Sequence, residues 1–151
     1  MPPSNMSDAK QGTHLPVFTY GTLRRGWFNY EKHLEGRTVE EQPARLTGCV
    51  LYDAGGFPFA VRKTDCDESI IGELMTIRPA DYEQVLLHLD ELEGHDPTDP
   101  GSLFKRVTVS VWTNTGSTQA WMYEAGDTVE QEFTPSDRIP GGDWASHQTR
   151  H

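Results

Sequence analysis

Cysteine is scarce: Cys49 and Cys66 are the two in 151 residues. Their number excludes a disulfide scaffold, and the absence of CxxC excludes the usual zinc and redox spacings. Both read as reduced thiols. Cys49 sits in an apolar run and suits a small core filler; Cys66 lies among Asp65, Asp67 and Glu68, whose charge disfavours a reactive thiolate. Positive charge is also short. Thirteen Lys and Arg face twenty-three Asp and Glu, a formal net charge of -10, which argues against a nucleic-acid partner because phosphates are held by clustered cations. The same balance mildly favours an amine-rich ligand, although it also simply keeps a domain in solution. No run approaches the roughly 20 apolar residues of a membrane-spanning helix, so no membrane partner is expected. The six histidines show no HxH or HExxH spacing, so they read as surface residues, and neither a metal nor any other cofactor is expected. The opening MPPSNMSDAKQGTH has no apolar h-region; residues 1–14 read as a disordered leader, residues 145–151 as a flexible tail, and the location as cytoplasmic.

One domain of ordinary size is expected over residues 15–144. Leu15 to Tyr20 is apolar and β-branched and predicts a buried first strand that stops at Gly21. Trp27 to Leu34 can form a short helix. Ala44 to Asp53 predicts a strand running into the glycine-rich bend AGGFP, and Phe59 to Arg62 and Ile70 to Ile77 predict two more. The clearest helix runs from Pro79 to about Leu92, with Tyr82, Val85, Leu86, Leu89 and Leu92 at helical spacing and proline in the first turn. Leu103 to Thr113 and Gln119 to Glu124 flank TNTGST and predict a hairpin. In its first arm Val107, Val109 and Val111 share one face, while Phe104, Arg106, Thr108, Ser110 and Trp112 share the other. Strands without regular helix alternation imply an α+β class with a curled sheet.

Two segments carry candidate chemistry. In YGTLRRG, a glycine directly after an apolar strand lets the backbone approach a ligand and aim consecutive amides at a carboxylate, although taken by itself the motif is more simply a tight turn. In LDELEG, Asp90, Glu91 and Glu93 gather where the helix gives way to a loop rich in glycine and proline, so Glu93 falls at the helix exit.

The runs FTYGTLRRG, LDELEG and FKRVTVSVW, supported by LYDAGGFPFAV and IPGGDW, resemble the γ-glutamylcyclotransferase-like superfamily, which includes avirulence-induced plant proteins. The resemblance spans Val17 to Trp144. It implies a small mixed β-barrel flanked by helices, with Tyr20, Gly21, Thr22 and Leu23 forming a backbone cradle for a glutamyl group and Glu93, just before glycine, as the catalytic acid/base. The implied reaction is attack of the substrate's α-amine on its own γ-carbonyl, releasing 5-oxoproline and a free amine. An enclosed Glu93 is expected, because a solvated glutamate is too acidic for that proton traffic. Asp53 matches a strand-end position near the bend, or is a turn-former. Gly55, Gly56 and Pro58 shape the pocket wall. Tyr123 matches a strand tyrosine that can bond the substrate, or is a core aromatic. The family's Tyr-x-Arg is here Phe104-x-Arg106, which removes a hydroxyl and favours Arg106 as a structural ion-pair partner.

The substrate class implied is a small γ-glutamyl amide. Alternatives are a γ-glutamyl-removing tailoring enzyme of an aminoglycoside-like pathway, a non-catalytic module binding a small molecule or protein on the same fold, and a hydrolase using a carboxylate pair from Asp90, Glu91 and Glu93. That last is disfavoured because residues two apart at a helix end diverge. Neither the leaving amine nor the oligomeric state follows from the sequence.

Overall fold

The computed structural model describes residues 14–24, 26–53, 58–63, 68–95, 104–126, 133 and 137–144. The expectations for residues 1–13, Gly55, Gly56, Cys66 and 145–151 lie outside these. His14, at the end of the expected leader, stacks on the Tyr82 ring with centroids 4.3 Å apart.

Among the described residues seven strands and two α-helices occur in the order β1 (Val17–Thr19), α1 (Phe28–His33), β2 (Thr38–Thr47), β3 (Cys49–Asp53), β4 (Pro58–Arg62), β5 (Ser69–Ile77), α2 (Tyr82–Glu93), β6 (Phe104–Thr113) and β7 (Gly116–Ala125). Five strands close a barrel in the order β1-β5-β2-β6-β7, and β3 and β4 pair as a separate ribbon. The barrel is mixed: β1 runs parallel to β7 at Val17 opposite Trp121 and antiparallel to β5. Among the described residues no helix is long and apolar enough to cross a membrane.

Strand alternation divides the core into two. Phe18, Leu46, Leu74, Val111 and Met122 face the barrel interior, where Ile139 and Trp144 also bury. Val17, Met75, Tyr123 and Ala125 point outward and pack under Val85, Leu86 and Leu89 of α2. The hairpin follows the sequence reading in its faces: Val109 and Val111 are buried and Val107 packs against the interior cluster, while Thr108, Ser110 and Trp112 are exposed.

Three expectations are corrected. The run Ala44 to Asp53 is not one strand, because Gly48 adopts a left-handed φ of 87° that hands the chain from the barrel to the ribbon. β2 also begins at Thr38, six residues early; it pairs with β5 from Thr38 to Thr47, Pro43 included, and meets β6 at Arg45. Leu92 keeps helical spacing but is 39% exposed, because α2 buries Tyr82, Val85, Leu86 and Leu89 instead. Pro79 opens a single 3-10 turn, Pro79–Asp81, before α2.

Candidate active site

The turn after β1 is built by its neighbours. Gly21 is buried, and a methyl group there would come within 2.7 Å and 2.9 Å of the rigid Pro58 ring, so glycine is required by close approach of β4 and not by an unusual φ. Arg24 closes the turn, its N–H donating to the Gly21 carbonyl at 2.9 Å. The Arg24 guanidinium reaches Glu73 on β5 at 3.3 Å and Asp143 at 2.8 Å. Thr22 is tied to α1: its carbonyl accepts from Tyr30 N–H at 3.2 Å and its Oγ1 accepts from Asn29 Nδ2 at 2.8 Å. Among the described residues the N–H groups of Gly21, Thr22 and Leu23 donate to no backbone carbonyl. Three consecutive amides thus lie in a fixed turn, the arrangement that binds anions. The Leu23 side chain is spent in the core.

Tyr20 turns inward and is structural in its side chain. Its hydroxyl donates to the Tyr123 carbonyl at 2.5 Å and accepts from Ala60 N–H at 3.3 Å, which bridges the facing edges of β4 and β7. Removing that hydroxyl strands two buried backbone groups, a loss of about 1–3 kcal/mol. Tyr20→Phe is therefore expected to lower the urea midpoint with an unchanged m-value, and an unaltered midpoint would show that the bridge contributes nothing.

Glu93 is the last residue of α2, which Gly94 ends with φ 71° and an N–H aimed back at the Asp90 and Glu91 carbonyls. Such a left-handed cap is one that glycine accepts without strain. Glu93 is half-buried, and the partial loss of solvent pushes its pKa up to about 7. Its charge is felt at the phenols of Tyr20 and Tyr123, both raised above the ordinary tyrosine range chiefly by burial. Glu93, Tyr20 and Tyr123 are therefore brought together.

The helix-end acids part company. Glu91 is exposed, whereas Asp90 is engaged: Arg106 Nε and Nη2 donate to its two oxygens at 2.9 Å and 3.2 Å, and the Tyr123 hydroxyl donates at 2.7 Å. With both Asp90 oxygens engaged by Arg106 and Tyr123, Asp90 is poorly placed to serve in a hydrolytic carboxylate pair. The ion-pair role read for Arg106 is observed, and its guanidinium also lies 4.4 Å from the centre of the Trp121 ring. Phe104, standing for a family tyrosine, stacks on Phe59 with centroids 4.3 Å apart. Asp53 ends β3 opposite Pro58, the residue packed on Gly21. The sequence reading missed Arg24, Asn29 and the Asp90–Tyr123 bond; only the i,i+3 spacing of Asp90 and Glu93 hinted that both face the same way.

Raising Glu93 has a thermodynamic consequence. The folded form binds its proton more tightly than the unfolded chain, so this residue's contribution to stability is fully present below about pH 4.5 and is lost as pH rises through about 7. Glu93→Gln is accordingly expected to melt higher than wild type at pH 8 and alike at pH 4; equal melting at both values would mean that the carboxyl is solvated.

The family model for gamma-glutamyl cyclotransferase, AIG2-like proteins matches residues 17–146. The chain belongs to this family. A Methanocaldococcus jannaschii protein, provisionally named a gamma-glutamylcyclotransferase, is 28% identical over 108 residues, covering 71% of this chain and 81% of that protein. The crystal structure of YkqA from Bacillus subtilis aligns at TM-score 0.66 and 26% identity over 90% of this chain, which spans only 41% of YkqA. A mouse AIG2-like protein aligns at TM-score 0.54 and 24% identity, covering 82% of this chain and 81% of that one. That likeness extends the agreement in fold, a small barrel with helices against it.

Proposed function

We propose that this member of the family cyclises a γ-glutamyl amide, releasing 5-oxoproline and a free amine. What supports the reading is a half-buried Glu93, its pKa raised to about 7 by burial, together with a turn whose three consecutive amides donate to no backbone carbonyl among the described residues.

The substrate enters with an α-ammonium that cannot attack. Glu93, ionised, takes one proton from it; the freed nitrogen then bonds to the γ-carbonyl carbon, closing a five-membered ring. The carbonyl reforms as the bond to the leaving nitrogen breaks, and Glu93 returns its proton to that nitrogen. The ring nitrogen then sheds its second proton, again by way of Glu93, and the amine departs as an ammonium, so protons and charge balance. A carboxyl with pKa near the working pH suits both transfers. Curling the glutamyl chain supplies much of the acceleration, since oriented intramolecular reactions reach effective molarities on the order of 10⁵ M. The amides of Gly21 to Leu23 are placed to hold the α-carboxylate or the developing oxyanion, as neutral donors that need no reorganisation. Asp53 and Pro58 would complete the wall behind that turn.

The test is incubation of the purified protein with γ-glutamyl amino acids, γ-glutamyl-ε-lysine, glutathione and γ-glutamyl-p-nitroanilide, with mass spectrometry for 5-oxoproline. Release from at least one supports the reading. Silence across the panel, with a γ-glutamyl compound still bound in calorimetry, would instead leave a binding module.

A further inference from the structure

Tyr123 has a single hydroxyl proton, and the structure commits it. The phenol donates to Asp90 Oδ1 at 2.7 Å, which leaves only its oxygen lone pairs for anything else in the site. Asp90 in turn has little freedom to let go. Arg106 grips it with two donors, Nε at 2.9 Å and Nη2 at 3.2 Å, a planar fork that matches a carboxylate in a way an ammonium cannot. Arg106 is itself fixed on three sides. Its guanidinium lies over Trp121, its backbone N–H donates to His95 Nδ1 at 3.0 Å, and β6 sets it directly opposite Tyr123 of β7.

Asp90 and Glu93 stand three apart on α2 and so share a face, and the Glu93 charge is felt at the Tyr123 phenol that Asp90 holds. We infer that Asp90 and Arg106 are positioning residues that force the Tyr123 oxygen to face the substrate as a hydrogen-bond acceptor, so that it receives an N–H of the α-ammonium while Glu93 receives another. This rests on the cyclotransferase reading and specifies the polarity of its site: two acceptors, one neutral and one titrating, converge on the nitrogen that must lose a proton. The raised pKa of Tyr123, caused by burial and then by its bond to Asp90 and that residue's charge, fits a phenol that stays neutral throughout.

Asp90→Asn tests the clamp. Arg106 Nε and the Tyr123 hydroxyl share Oδ1 while Nη2 takes Oδ2, so an amide leaves one oxygen for three donors, and the hold on the orientation of the Tyr123 proton is lost. The experiment is a double-mutant cycle in kcat/KM on whichever panel substrate turns over fastest. Tyr123→Phe and Asp90→Asn are each expected to lose roughly tenfold or more, the scale of a hydrogen bond to a charged group. The double variant should fall within about threefold of either single, because Asp90 acts only through Tyr123. A brace that merely holds α2 on β6 would give additive losses, and that result, or a fully active Tyr123→Phe, overturns the inference alone. Should Asp90→Asn fail to fold, Arg106→Lys runs the same cycle, keeping the charge and losing the fork, with the same expectation of no further loss in Tyr123→Phe. A wild type inert on the whole panel overturns both the inference and the reading beneath it.

Discussion

Glu93→Gln is expected to lower 5-oxoproline release by about 10²- to 10⁴-fold, the contribution of a positioned general acid–base group. The replacement is nearly isosteric, so the helix end and the cradle persist and substrate should still bind. Only proton transfer is lost. In wild type the pH profile should carry the same signature: the ionised form must meet an ammonium, so kcat/KM rises as pH passes through about 7, the value to which burial raises this carboxyl, and that limb should vanish in the variant. Activity within about tenfold of wild type in Glu93→Gln, measured by mass spectrometry at pH 8, would remove Glu93 from the reaction.

Gly72→Ala is expected to damage the fold more than any other glycine exchange on the barrel strands. Gly72 sits in β5 where that strand is paired on both sides, opposite Ala44 of β2 and beside the pairing of Thr19 with Glu73. Its Cβ would be driven into the Thr19 carbonyl oxygen and would lie 3.0 Å from the Phe18 ring. Neither obstacle is the free end of a flexible chain, so strands β1 and β5 must separate. Overpacking of this kind costs about 3 kcal/mol at the upper end, or roughly 6–12 °C in melting temperature for a chain of this size. A melting temperature within about 2 °C of wild type, by differential scanning calorimetry, would show that the barrel absorbs the methyl. Because β1 leads straight into the Tyr20–Leu23 turn, the surviving folded protein should also bind substrate more weakly.

Much of the architecture was legible because local signals agreed with one another. Alternating valines in β6 and a glycine-containing turn specified the hairpin, and the spacing of Tyr82, Val85, Leu86 and Leu89 specified α2 together with its buried face. Where tertiary context overrode local signal, reading failed. Thr38 to Gln42 is polar and precedes a proline, so nothing local marks it as strand; it is one because β5 offers an edge. Leu92 repeats the helical period yet lies past the covered stripe of α2. Gly48 looks like any strand glycine until its positive φ divides one run between two sheets.

The candidate site was readable unevenly for a related reason. Glu93 and the turn at Tyr20 to Leu23 stand out because glycine at a strand exit and glycine after a helix-end acid are short-range patterns. Asp90, Arg106 and Tyr123 lie on three elements, up to 33 residues apart along the chain, and no spacing announces that they meet. Charge and apolar periodicity by themselves determined an acidic α+β fold with an amphipathic helix and a carboxylate at its exit, since these depend only on neighbours in the chain. Barrel closure decided the rest: it drew the Glu93 carboxyl partly out of solvent, turned the Tyr20 hydroxyl into a strap between β4 and β7, and committed the Tyr123 proton to Asp90. Desolvation and hydrogen-bond direction are properties of groups distant in sequence, and they exist only once the chain has folded around them.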